Sequence, residues 1–447
     1  MHGFWDEYKN IFSLVEELNL SEDPFTAYGQ QGQYSPRGLE AVWPVYRNEP
    51  KLPTGLGQAL FTRFMKLPIT DLMTAIPLVA AFSEFLSDDN AYDRFDRMSF
   101  EDLCKKMGVS RRLYTEVFEP MILTGLFAPG TQCSAAAALG MAYFFVLKSQ
   151  TSFDVRWCRG NVGDKIFRPW VEKMEGLGVE LLHNTRVSDL ELDSEDRVVR
   201  GVRLSDGRML QADYVVLGTG VSALRNMVRS SPRLGSFSPE LARCADLRGT
   251  DCLATRVWLD RVVDMPFWAN PVWGFDQGVG MTVFDIRALQ APLHDSEPGS
   301  VVEVDFYHAG KLLGMSDEAL VELVKERLSA MLPGFKSAAV IDSAVIRIPG
   351  GVTWFYPGSH RLLPPGRSAA ARNLLFVGDY VRTGHGSWSQ ERAYVTGMEA
   401  ANAIAGRTVC NVIPLKPNEA HVQAGASAVR AVRTLLPWLP GIPDFLV

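Results

Sequence analysis

Between residues 373 and 405 the chain runs from an apolar segment, Leu374-Leu375-Phe376-Val377, through Gly378-Asp379 and into a Gly- and Ala-containing segment that predicts a helix over Ser389–Ala405. This order restricts the fold more than any other stretch. A short apolar run closed by glycine reads as a buried strand of a parallel sheet. Small residues after it let backbone approach a bound group, and the helix behind presents free N–H groups to an anionic oxygen. Asp379 can accept from a ligand hydroxyl or position water, or it is an ordinary loop aspartate; both readings stay open. The N-terminus of the helix, near Gln390 and Glu391, can stabilise negative charge. Glu391-Arg392 also reads as a simple ion pair at the helix start, and Arg382 and His385 as solvated loop residues.

A chain of 447 residues supports two or three domains with a large core. Its apolar share of 47% and charged share of 21% place it among folded rather than disordered chains. The net charge of −6, with both signs spread along the chain, argues against a nucleic-acid partner. The six cysteines form no C-x-x-C pair, which fits a reducing compartment or unpaired buried thiols better than a disulfide framework or a zinc site. The seven histidines show no metal-ligand spacing. Residues 1–5 run straight into aromatic and helical sequence without a signal-peptide pattern. The uncharged stretch 120–147 has the length of a membrane span, but Pro129-Gly130-Thr131-Gln132 breaks it and leaves 135–147 as a buried helix.

Hydrophobic periodicity predicts a helix over residues 4–20, turn-rich short strands over 28–53, and apolar helices over 56–86 broken at Pro68 and Pro77. Ser99 is a predicted N-cap with acidic residues behind it, and helices continue to about residue 150. The pattern then changes. A helix over 161–176 precedes short strands at 179–182, 186–192, 198–204 and 213–217, with a hairpin turn at Ser205-Asp206-Gly207. Further strands are expected at 252–260, 279–285, 301–307 and 340–347, with an amphipathic helix over 316–332. The tail around 435–443 is apolar and Pro-rich.

A second constellation is the strand 213–217 followed by Gly218-Thr219-Gly220-Val221-Ser222-Ala223, which matches G-x-G-x-x-A. No strand ending in an acidic residue follows about 20 residues on, as a dinucleotide fingerprint requires. It is either a tight strand-to-helix turn or a turn lying beside a cofactor. Residues 153–160 combine aromatic, cationic and glycine residues; Arg159 suits a channel wall or an interdomain salt bridge, and Cys158 lacks a neighbouring base. No Ser/His/Asp or paired-carboxylate arrangement suggests hydrolysis.

Taken in order, several segments resemble the phytoene desaturase/zeta-carotene desaturase group of the FAD-dependent amine oxidase-like superfamily. Residues 1–11 are similar to its G-x-H-x-F-x-x-x-Y-x-N stretch, 98–109 to its S-x-x-x-W/L-x-x-x-x-G-V helix, and 155–166 to its G-(N/T)-x-x-(D/E)-x-(I/L) segment. Residues 212–220 resemble its A-D-x-V-V-x-A-T strand and 377–401 its A-G-D-(Y/W)…S-x-E-x-A-x-x-S/T-G-x-x-A-A ending. The resemblance implies an α/β (α+β) chain with an incomplete two-dinucleotide-type FAD-binding domain and a mixed-sheet and helical substrate domain. The implied division is 1–150 helical and substrate- or membrane-facing, 151–235 FAD-binding, 236–365 substrate-domain sheet and helix, 366–410 a return to the FAD-binding domain, and 411–447 an apolar tail. It implies FAD contacts at Gly378 and Asp379, at the backbone near Gln390 and Glu391, at Thr219 and Gly220, and at Val187 beside the adenine.

The family's opening strand, G-x-G-x-x-G turn and acid-ended second strand have no counterpart here, which leaves an unpaired apolar sheet edge as an expectation. On this resemblance the chain is a desaturase-like, FAD-dependent oxidoreductase acting on a long apolar isoprenoid such as a carotenoid, with a redox-neutral carotenoid isomerase as near variant. The alternatives are a truncated product of such an enzyme, or a non-catalytic membrane-associated subunit that binds pigment or a partner. Peripheral membrane contact and a plastid location are implied in the same way. Substrate identity, electron acceptor and oligomeric state carry no signal in the sequence.

Overall fold

The computed structural model describes residues 1–88, 90–195, 197–436 and 438–446. Pro437 and Val447, both in the tail read as apolar, lie outside the described residues. The architecture is mixed α/β. Its largest sheet has eight strands in the order Val340–Thr353, Gly249–Leu259, Val301–Tyr307, Gly280–Asp285, Ala269–Val272, Gln31–Ser35, Gly38–Trp43 and Arg63–Phe64. All neighbours are antiparallel except Ala269–Val272 and Gln31–Ser35, where Val272 faces Tyr34 in parallel register. Against this sheet packs the helix Asp317–Met331, started by Ser316, whose hydroxyl accepts from the Ala319 N–H. Leu320, Val324, Leu328 and Met331 fall on one face at helical spacing and are all essentially buried, so the amphipathic pattern translates into a second core.

The main core lies elsewhere, where the N-terminal helices meet a two-stranded parallel pair, Val215–Leu217 beside Leu374–Phe376. Three residues of each strand are in register, Leu374 with Val215 through Phe376 with Leu217. Among the described residues Val215–Leu217 has a strand neighbour on one side only, as the sequence predicts for an unpaired edge, and Val216 is exposed. A separate meander, Val187–Asp193, Val198–Leu204 and Met209–Gln211, carries the predicted hairpin.

The helix Ala135–Ala142 is buried along almost its whole length, continuing through a π-turn to Leu147. Its small residues permit close approach: a Cβ on Gly140 would stand 2.9 Å from the indole of Trp388. Among the described residues, no helix is long and apolar enough to cross a membrane.

Four expectations need correction. The first helix is Lys9–Leu18, because Gly3–Trp5 is drawn into an antiparallel pair with Val155–Trp157. Residues 179–182 form no strand; no described segment pairs with them, and Val179 and Leu182 stay exposed. The strand expected at 340–347 extends to Thr353, held along its length by Gly249–Leu259. The tail contains a helix, Ala420–Leu435, packed on Leu78–Phe85. There Arg433 reaches both Asp88 and the nearly buried carboxylate of Glu84.

Candidate functional site

Two turns leave the same end of the parallel pair and meet. The strand Val215–Leu217 passes through Gly218-Thr219-Gly220 into the helix Val221–Ser230, so the predicted strand-turn-helix exists. The strand Leu374–Phe376 passes through Val377 into Gly378-Asp379-Tyr380. The Val377 N–H donates to the Leu217 carbonyl at 3.0 Å, and the Tyr380 hydroxyl donates to the Thr219 carbonyl at 3.0 Å. Carboxyl ends of parallel strands are where α/β sheets bind ligands, because successive turns open a crevice there. The structure thus brings together Thr219, Gly220, Gly378 and Asp379. Tyr380, to which the sequence reading gave no part, fastens the two turns; an aromatic directly after Gly-Asp was its only signal.

Gly378 has φ 143°, and a Cβ there would press on the Tyr380 ring at 3.0 Å. Any other residue would be strained in this conformation. Its N–H donates to the Thr396 hydroxyl at 3.0 Å, tying the turn to the helix Ser389–Ala405. That helix starts abruptly: Ser389 has φ 53°, a left-handed value uncommon outside glycine, and the helix ends at Gly406 with φ 64°. Burial pushes the Asp379 carboxyl above the ordinary aspartate range, opposed by its hydrogen bond from Thr353 and by the nearby Arg392.

Glu391 and Arg392 do not pair with each other. The Glu391 carboxylate turns to the N-terminal helix, accepting from the Asn10 N–H at 2.8 Å, the Asn10 side-chain amide at 2.7 Å and the Ile11 N–H at 3.1 Å. The side chain of Glu391 is therefore a clamp between helices, and only its backbone remains available to a ligand. The Arg392 guanidinium stacks on Trp388, 4.2 Å from the ring centroid, and donates to the carbonyls of Ser387 and Asp379. Burial pulls its pKa down. The half-buried His385 donates from Nε2 to the Ile413 carbonyl in the tautomer that bond requires, at 2.8 Å, so it is not a solvated loop residue; Arg382 is exposed as expected.

Val187 is not part of the two turns. It opens a strand of the separate meander opposite Leu204 and is exposed. Arg159 is exposed and enters no ion pair among the described residues, so the salt-bridge reading fails. All six cysteines are free and five are buried; burial pushes the Cys244 thiol up to about 12, which removes it as a nucleophile at neutral pH. Among the described residues no cluster of His, Cys, Asp or Glu could hold a metal.

Residues 1–405 match the model of the family described as flavin containing amine oxidoreductase. The chain is similar to a 15-cis-phytoene desaturase, chloroplastic/chromoplastic, of Glycine max, 23% identical over 425 residues, covering 90% of this chain and 70% of that protein. It is similar to a carotenoid phi-ring synthase of Streptomyces griseus, 26% identical over 420 residues, covering 91% of this chain and 77% of that one. Among solved structures, the cyclohexylamine oxidase of Brevibacterium oxydans superposes with a TM-score of 0.61 at 15% identity, covering 90% of this chain and 86% of the other. That likeness shows the fold.

The family implies FAD, and the residues present fit one end of such a group. The Thr219 hydroxyl is buried between the two turns with no partner among the described residues. Gly220 borders open space, and Gly378 keeps its turn free of a side chain. Unpaired hydroxyl and backbone groups at glycine turns suit the oxygens of a ribityl-phosphate chain.

Proposed function

The chain belongs to the flavin containing amine oxidoreductase family, and from that membership we propose a desaturase-like oxidoreductase that acts on a long apolar isoprenoid of the carotenoid class. The cofactor is FAD, which when bound supplies hydride-accepting chemistry that no side chain can. The observation that carries the reading is the meeting of Thr219 and Gly220 with Gly378 and Asp379 at the carboxyl ends of two parallel strands. Thr219 and Gly220 hold one side of the cofactor and Gly378 and Asp379 the other. The backbone at Gln390 and Glu391 faces it from the helix start. Val187 is kept as a candidate for the adenine edge. The buried helices behind exclude water and give an apolar substrate its surroundings.

The relatives' names, a phytoene desaturase and a carotenoid phi-ring synthase, support an apolar polyene as substrate. The division into 1–150, 151–235, 236–365, 366–410 and 411–447 is proposed with this function: the second and fourth segments supply the two site turns, the first and third the substrate side. Peripheral membrane contact is part of the reading, supported by the exposed Leu60, Ile69, Met73, Ile76 and Val79 and by Trp438. A plastid location is proposed from the chloroplastic relatives. The test is to supply the FAD-loaded chain with phytoene in liposomes and a quinone acceptor and to follow absorbance. A longer-wavelength product band supports desaturation; unchanged phytoene with FAD bound would contradict it.

One observation favours a second reading, a binding subunit without catalysis. Among the described residues the Val215–Leu217 strand leaves one edge unpaired, and such edges recruit strands from other chains.

A further inference from the structure

Next to the Asp379 turn lies a cavity of about 320 Å³ whose wall combines apolar and cationic residues. Phe85, Leu86, Leu363, Trp388 and Leu415 supply the apolar part. Arg392, Lys148 and Arg382 supply positive charge, and among the described residues no aspartate or glutamate lines it. The absence of acids matters because the first two cations are nearly buried: Arg392 and Lys148 are each 8% exposed. A buried cation is costly unless a charge or several acceptors compensate it. Arg392 has two carbonyl acceptors, on Nε and Nη1, and no described residue accepts from its Nη2. Lys148 Nζ donates to the Asn418 amide oxygen at 2.5 Å and among the described residues has no carboxylate within ion-pair distance. Burial pulls its pKa down. Carboxylates act on the wall from behind it, Asp379 on Arg392, Glu7 on Lys148, and Glu419 and Glu7 on the Tyr143 hydroxyl, while His360 pairs with Asp93 at 2.8 Å and Thr383 donates to Glu399 at 2.8 Å.

The polar atoms of the wall tell the same story. The Tyr143 hydroxyl is buried with no partner among the described residues. His385 spends Nε2 on the Ile413 carbonyl and leaves Nδ1 buried and unpartnered. In this tautomer Nδ1 is an acceptor and takes no part in holding an anion. Among the described residues, Arg392 Nη2 and the Tyr143 hydroxyl are donors without an acceptor, and the wall carries no carboxylate.

We propose that this cavity binds the ionised head of an amphiphilic organic acid, a carboxylate carrying an apolar tail, held by Arg392, Lys148 and Arg382 with the Tyr143 hydroxyl. A planar carboxylate matches the guanidinium fork, and the apolar wall accepts the start of the tail, which an inorganic anion would not use. The volume holds the head and a short length of chain, so the remainder leaves through the open side near the exposed Arg382. Arg392 joins this cavity to the proposed flavin site through its bond to the Asp379 carbonyl; Lys148, Arg382 and Tyr143 are not assigned to that site.

The test uses the purified 447-residue chain and the quenching of its tryptophan fluorescence, Trp388 being in the wall. All-trans-retinoate and retinol share a polyene tail and differ in the carboxylate. Retinoate is expected to bind saturably and at least about tenfold more tightly than retinol, the effect of one charge-assisted contact. Lys148→Gln and Arg382→Gln are each expected to weaken retinoate about tenfold and leave retinol unchanged. Arg392 is left intact because its carbonyl bonds hold the loop. Binding should persist with inorganic phosphate in large excess. Equal binding of the two polyenes, full displacement by phosphate, or retinoate affinity unaltered in both variants with an unchanged circular dichroism spectrum would overturn the proposal, as would no retinoate binding at all.

Discussion

Gly378 and Glu391 carry the site in opposite ways, one by lacking a side chain and one by burying a charge. In Gly378→Ala the new methyl meets the Tyr380 ring from a backbone conformation that alanine avoids. Urea unfolding should show a loss of roughly 1–3 kcal/mol, with weaker FAD binding. In Glu391→Gln an amide N–H₂ confronts donors that now reach a carboxylate. A loss of about 2–3 kcal/mol is expected at neutral pH. The variant also carries a pH signature. Burial raises the folded pKa of Glu391 above its ordinary 4.5, despite the bonds from Asn10 and Ile11 that lower it. The native state then holds the proton more tightly, so its contribution to stability falls as pH rises from about 4.5 through the folded value. Glu391→Gln should flatten that decline. Asp6 acts at lower pH with the opposite sign: burial pushes its pKa up, but Lys9 and Lys416 hold it well below 3.8, so its contribution is lost only as pH falls below that value.

Among the elements, the helix Ala420–Leu435 is joined to the body by packing on Leu78–Phe85, by Arg430, which donates to the Ser87 carbonyl, and by Arg433, which bridges Glu84 and Asp88. Arg94 stays within 3.6 Å of Glu84, so Arg433→Ala does not strand that carboxylate. A modest loss of about 1 kcal/mol should appear, with faster amide exchange confined to this helix. The elements also show where sequence reading stops. Ser389–Ala405 was placed to its ends because local signals agree, Gly406 closing it in a left-handed turn. The strand Gly3–Trp5 was read as helix because what makes it a strand is Val155–Trp157, far along the chain. Residues 179–182 have strand composition but no neighbour to pair with. At the site, Gly378 and Asp379 stood out as a motif. The turning of Glu391 to Asn10 and the stacking of Arg392 on Trp388 depend on packing between segments that no local pattern encodes.

Taken whole, the molecule sets a closed core beside an open apolar surface. Ile69 and Ile76 are 72% and 60% exposed, unusual for isoleucine; Ile69 shares the helix Ile69–Met73 with exposed Met73, Ile76 lies in the turn after it, and exposed Val79 lies in the next helix, Leu78–Phe85. In Ile69→Glu/Ile76→Glu the core is untouched, so thermal stability should hold while co-sedimentation with lipid vesicles drops severalfold. Undiminished sedimentation would remove the membrane part of the reading. The flavin site itself is decided by adding FAD to the purified chain and following flavin fluorescence through a gel-filtration step. The account predicts yellow protein with flavin co-eluting, and loss of that flavin in Gly378→Ala. A folded, colourless wild-type chain in excess FAD would contradict it.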